Sequence, residues 1–169
     1  GTHFLRSTTG ARVGRSSPCH ANQRVIIHKH MKEQITVETV VAAPVSTVWQ
    51  CWTEPEHITK WCFATEDWCA PVATNDVRVG GEFMTRMEAR DKSAGFDFGG
   101  TYTVVEGEKR LEYVMNGEGA RKVSIQFSQE GEGCRVTETF EAENENSLDL
   151  QRSGWQSILE NFRRYVEGL

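Results

Sequence analysis

The chain has 169 residues, 38% of them hydrophobic and 25% charged, with a formal net charge of −5. That length and composition suit one globular domain with a sizeable core, and no apolar run approaches the roughly 18 residues of a bilayer-spanning helix, so no membrane span is expected. Residues 1–30 hold Arg6, Arg12, Arg15, Arg24 and Lys29 and no acid, whereas the remainder holds 14 basic and 24 acidic side chains, a net of −10; so acidic a body repels phosphate backbones and argues against nucleic acid as a partner.

Residues 1–30 show little apolar periodicity and are rich in Ser, Thr, Gly and Arg. They read as a leader, tag or disordered extension upstream of a natural start at Met31. An Arg-rich, acid-poor transit peptide and a functional basic tail are the alternatives. Residues 31–169 read as one domain. A strand is expected over Ile35–Ala42, with Ile35, Val37, Thr39 and Val41 on one face. Ala43-Pro44 ends it, and Pro44 suits the first turn of a short helix whose apolar face is Val45, Val48, Trp49 and Trp52. Thr53 is expected to cap a second short helix carrying Ile58 and Trp61. The segment with Phe63, Trp68 and Pro71 reads as irregular.

From Asp76 the pattern is β: Val77–Val79, a turn or bulge at Gly80-Gly81, then Glu82–Glu88. Phe96–Val105 alternates, with Phe96, Phe98, Tyr102 and Val104 on one face, and Gly99-Gly100 marks a bend or a close backbone approach. Leu111, Tyr113 and Met115 share a face of the next strand; Val123, Ile125 and Phe127 mark another, and Cys134–Ala142 is the last. Trp155, Ile158, Leu159, Phe162, Tyr165, Val166 and Leu169 then form one stripe on a long helix starting near Ser147, its expected N-cap, with Gly168 as C′ residue. Strands run together and helices are segregated, which defines an α+β fold: a curved antiparallel sheet of about six or seven strands wrapped around the C-terminal helix, with two short helices after the first strand.

The five cysteines are Cys19, Cys51, Cys62, Cys69 and Cys134. The count is odd and no secretory signal is visible, so reduced thiols in the cytoplasm are expected. Cys51, His57, Cys62 and Cys69 lie close in sequence but lack the tight C-x-x-C pairs of a zinc site, so no metal is expected. No phosphate loop, dinucleotide fingerprint, H-E-x-x-H or G-x-S-x-G occurs, and no cofactor is expected.

The stretches AAPVSTVWQCWTEPEHITKW (42–61), RVGGEF (78–83), FDFGGTYTVVE (96–106), LEYV (111–114), VTETFEAE (136–143) and QRSGWQSILENFRRYVE (151–167) are similar, in that order, to those of the START-like or SRPBCC superfamily. The chain most resembles homologues of the activator of the heat-shock-protein ATPase. The resemblance implies the helix-grip fold, with a deep cavity between sheet and C-terminal helix. Relatives hold lipids, sterols, polyketides or other apolar molecules there; a few cyclise polyketides, and the founding domain stimulates a stress-response chaperone ATPase by binding it. Fold alone does not name the function.

The candidate cavity residues are Trp61, Trp68, Phe83, Phe96, Phe98, Tyr102, Tyr113, Met115, Glu138, Arg152, Trp155 and Leu159. A solid aromatic core and an apolar pocket are both compatible with the set. Gly154, costly inside a helix, implies a close neighbour, either a ligand or another backbone. If Val136 and Phe140 face inward, Glu138 does too, and its carboxyl must be hydrogen-bonded, paired or protonated. It reads as a ligand anchor or general acid–base, as a structural ion pair with Arg152 or Arg121, or as a solvated strand end. His57 reads as a solvated surface residue. Three functions follow: a non-enzymatic domain binding a small apolar or aromatic molecule, a co-chaperone-like regulator of a heat-shock ATPase, or a lyase or cyclase using Glu138, Tyr102 or Tyr113. An enclosed cavity above roughly 300 Å³ favours the first or third, and a filled core with an exposed apolar patch favours the second.

Overall fold

The computed structural model describes residues 32–117 and 119–169; the extension expected at residues 1–30 lies outside them. The elements run β1 (Gln34–Val41), α1 (Val45–Thr53), α2 (Pro55–Trp61), β2 (Trp68–Asn75), β3 (Glu82–Ala89), β4 (Gly95–Glu106), β5 (Arg110–Met115), β6 (Lys122–Glu130), β7 (Gly133–Glu141) and α3 (Leu148–Glu167). The strands form one antiparallel sheet in the order β1-β7-β6-β5-β4-β3-β2. Strict alternation of burial in β1 and β7 shows why: one face of each strand is covered and mainly apolar, Glu138 of β7 being an exception, and the other is mainly polar and more exposed. The two strands pair in register, Ile35 opposite Phe140 and Val37 opposite Glu138. Bulges in β2, between Cys69 and Val72, and in β4, between Tyr102 and Val104, add local bend to a sheet that curves into a half-barrel. This is the expected α+β helix-grip architecture.

Helix α3 fills the concave face. Leu159 and Phe162 are completely buried and Val166 nearly so. Phe162 sits edge-on between Trp52 of α1 and Trp61 of α2, at 4.9 and 4.8 Å between ring centroids. Asn161 Nδ2 donates to the carbonyl of Trp61 at 2.8 Å, and Gln156 Nε2 donates to that of Glu38 at 3.1 Å, so α3 is fastened to α2 and β1. Ser147 caps the helix as expected, its hydroxyl accepting from the Leu150 N–H at 3.1 Å. Buried Gln151 ties down the preceding loop by donating to the carbonyls of Glu143 and Asn146.

Several local expectations give way. The segment read as irregular contains edge strand β2. Its bulge places Pro71 where a missing N–H breaks no ladder bond. Val77–Val79 is no strand: the chain turns there, Gly81 N–H donating to the Arg78 carbonyl at 2.8 Å and Gly80 taking a φ of +82°. Thr53 does not cap α2. Glu54 holds the N-cap position, and the Thr53 hydroxyl donates back to the Trp49 carbonyl at 2.8 Å. Pro44 is the N-cap of α1 rather than part of its first turn. The β4 bulge takes Val104 off the Phe98–Tyr102 face, and Val105 pairs opposite buried Leu111 instead. Gly168 is the C-cap of α3 with a φ of −88°, not a left-handed C′ residue. The close approach at Gly99-Gly100 is real: a Cβ on Gly100 would lie 2.5 Å from the Val114 carbonyl oxygen and 3.2 Å from the Tyr113 ring. Gly154 has no such neighbour within 4 Å, so a close approach by another backbone does not explain it.

Candidate functional site

A cavity of about 250 Å³, open at one side, lies between the sheet and α3. The interior comes from facing elements: Trp52 of α1, Trp61 and Cys62 at the end of α2, Met87 of β3, Phe96 and Phe98 of β4, Tyr113 and Met115 of β5, Arg121 just before β6, Glu138 of β7, and Trp155 and Ile158 of α3. Strand alternation explains the β contributions, since Tyr113 and Met115 are two apart, as are Phe96 and Phe98. On α3, Trp155 and Ile158 lie three apart, on the stripe that turns toward the sheet. A small cleft of about 50 Å³ shares Trp61, Cys62, Phe98 and Tyr113 and adds Phe83 and Tyr102.

Of the residues expected from sequence, Trp61, Phe96, Phe98, Tyr113, Met115, Glu138 and Trp155 line the main cavity, and Phe83 and Tyr102 the adjoining cleft. Trp68 packs against Phe96, ring centroids 6.0 Å apart, outside the lining. Leu159 is fully buried in the core. Arg152 is exposed, one residue and about 100° round the helix from buried Gln151. Trp52, Cys62, Met87, Arg121 and Ile158 line the cavity without having been singled out for it. For Trp52 and Ile158 the signal was present, since both stand on the apolar faces of predicted helices.

Trp155 forms the ceiling. Its ring stacks on Phe140 at 3.9 Å and 10°, and Phe98 meets it edge-on at 6.1 Å. Phe96, half exposed, stands at the open side. Glu138 is the polar feature of the interior. It is 4% exposed, and among the described residues its carboxyl makes neither a hydrogen bond nor an ion pair. The expected partners do not serve it. Arg152 points to solvent, while Arg121 donates from Nη1 to the Glu141 carbonyl at 3.2 Å. Burial pushes the Glu138 carboxyl up to about 8, so it is mostly protonated at neutral pH. The same burial, with Glu138 nearby, raises Tyr113 and pushes the Cys62 thiol up to about 12. Tyr102 is already engaged, donating to Asn75 Oδ1 at 2.7 Å.

His57 is half-buried rather than simply solvated: its Nδ1 lies 2.7 Å from the Tyr165 hydroxyl and its Nε2 3.5 Å from Glu54. It bridges α2 to α3, away from the cavity lining. Cys51, Cys62, Cys69 and Cys134 are free thiols, and among the described residues no three His, Cys, Asp or Glu side chains converge as a metal set. Among the described residues no helix is long and apolar enough to cross a membrane.

A curved antiparallel sheet gripping one long helix, with an aromatic cavity between them, defines the START-like helix-grip class. Within it, residues 42–167 match the family model described as Activator of Hsp90 ATPase homolog 1-like protein, and the chain belongs to that family. The solution structure of an AHSA1-like protein from Aeromonas hydrophila is 43% identical, with a TM-score of 0.75, over 80% of this chain and 93% of that one. A protein from Cytophaga hutchinsonii is 44% identical, with a TM-score of 0.69, over 80% of this chain and 92% of that one. A Nitrosomonas europaea protein shares the fold at 23% identity and a TM-score of 0.69, over 82% and 96% of the two chains. No curated protein matches the chain.

Proposed function

We propose that the chain binds a compact apolar or aromatic molecule between the sheet and α3 and performs no chemistry on it. The observation that carries this reading is the aromatic cavity lined by a buried carboxyl that no other described side chain partners. At about 250 Å³ and open at one side, the cavity falls short of the enclosed space of roughly 300 Å³ named above as favouring a ligand site, so this reading takes a ligand smaller than a drug-sized one. A catalytic reading lacks its geometry: Glu138 and Tyr113 share the lining without a hydrogen bond between them, and Tyr102 is held by Asn75. The free thiols suit a reducing compartment, and the cytoplasm is the proposed location.

A second reading, a regulator that docks on a chaperone ATPase, draws on the family's description. Exposed Val72, Val79 and Leu150 offer apolar side chains for such a contact. Two measurements separate the readings. Native mass spectrometry of protein purified from its own host is expected to show a small molecule bound one to one. Met115→Trp, which fills the cavity, is expected to lose it while the circular dichroism stays native. A mass equal to the bare chain, together with a changed turnover when the chain is titrated into a heat-shock ATPase, would replace the first reading by the second.

A further inference from the structure

The polar groups of the cavity have one chemical character in common. Arg121 immediately precedes β6, and its position is fixed twice: its carbonyl accepts from the Met115 N–H at 2.8 Å, and its Nη1 donates to the Glu141 carbonyl at 3.2 Å. A guanidinium carries five N–H groups, so donors remain for a guest. Glu138 is 4% exposed, and its carboxyl has no hydrogen-bond partner among the described residues; Tyr113, 5% exposed, also lines the cavity, its hydroxyl likewise without a partner among them. Burial holds both in their protonated forms at neutral pH. Each of these side chains can therefore donate a hydrogen bond, and one of them is cationic. Each of these groups borders the open space of the cavity, where a guest can reach it. A guest that accepts several hydrogen bonds and carries one negative charge matches all of them, whereas a neutral alcohol matches only part and a cation none.

We propose that the cavity selects a small aromatic carboxylic acid, its ring among Trp61, Phe98 and Trp155 and its carboxylate shared between Arg121 and Glu138. The proposal rests on the reading of the cavity as a ligand site and adds the chemistry of the head group. A carboxylate offers two oxygens with about four lone-pair sites, enough for both residues, and charge-assisted bonds of this kind are roughly twice as strong as neutral ones. The walls choose the body of the ligand: ring faces and edges at three sides suit an aromatic guest. A cavity of about 250 Å³ takes one or two rings and leaves no room for a sterol or a long acyl chain.

The test is calorimetric titration of the full chain at neutral pH with naphthoate and with its neutral isostere naphthalenemethanol. Naphthoate is expected to bind at least about tenfold more tightly. Arg121→Gln is expected to bring the two within about twofold by weakening the acid alone, and Arg121→Lys to restore part of the preference. Glu138→Gln retains an N–H donor and is expected to keep the order of the two probes, with a smaller gap. Equal affinities in the wild type would overturn the head-group assignment and leave the cavity reading standing. Binding of neither probe would overturn both. A preference for the acid that survives Arg121→Gln would place the anion elsewhere and overturn the assignment to Arg121.

Discussion

Glu138 concentrates the physical cost of the site. Its carboxyl is buried against the cavity it lines, where the titratable or charged residues are Tyr113 from β5, Cys62 from the end of α2 and Arg121 from just before β6; α3 presents Trp155 and Ile158, while β1 and β6 flank it with Val37 and Ile125. Its value in the fold rises from 4.5 to about 8, so the folded chain holds this proton more tightly than the unfolded chain does. The associated stability is complete below about 4.5 and is lost as pH rises through about 8, with a slope of at most about 1.4 kcal/mol per pH unit. Glu138→Gln removes this term. Urea unfolding between pH about 5 and about 9 is expected to show the wild type losing stability relative to the variant as pH rises from about 5 to about 8 and no further loss above it; parallel curves for the two proteins would show that Glu138 titrates normally. The inward position of this residue was legible from alternation with Val136 and Phe140. Its isolation was not, because the sequence offered both Arg121 and Arg152 as partners, and only the fold turns one to a backbone carbonyl and the other to water.

At the scale of elements, α3 and the sheet hold each other through Trp155. The ring stacks on Phe140 and is met edge-on by Phe98, yet it is only partly buried because it also borders the cavity. Trp155→Ala is therefore expected to cost about 2–4 kcal/mol, toward the lower side of a fully buried aromatic truncation, and thermal unfolding of the variant checks it. One residue earlier the expectation reverses. A methyl on Gly154 meets nothing within 4 Å, and the residue sits inside a regular helix. Gly154→Ala is expected to stabilise the fold by about 0.5–1 kcal/mol without changing affinity for any cavity ligand; a loss of affinity would mean that the space above Gly154 is part of the site. Long periodic elements such as α3, β1 and β7 were readable because each buries one continuous face. β2 was not, since Pro71 and a bulge interrupt its alternation at the sheet edge. The same happened at Val104, where one extra residue in β4 shifts the face. Of the cavity, the aromatic strand residues followed from alternation, whereas Met87 and Cys62 carried no pattern that separates a cavity wall from a packed core.

For the whole molecule, the decisive closure is between the first strand and the last. The family match begins at residue 42, yet β1 lies entirely before it. That strand covers the free edge of β7 over eight paired positions and buries Ile35, Val37 and Val41 to 2% exposure or less. It also receives α3: Gln156 donates to the Glu38 carbonyl at 3.1 Å, and just beyond the strand the Ala42 N–H donates to Glu167 at 3.0 Å. Burying three such side chains contributes roughly 1.5–3 kcal/mol each. Together that is comparable with the roughly 5–15 kcal/mol by which a domain is stable at all. The segment 32–169 is expected to unfold in urea as one cooperative transition, whereas 42–169, which spans almost the whole family match, is expected to show none and to aggregate through the bared edge of β7. A sigmoidal transition in 42–169 would show that the grip on α3 closes without β1, and that the cavity wall formed by β7 stands on its own.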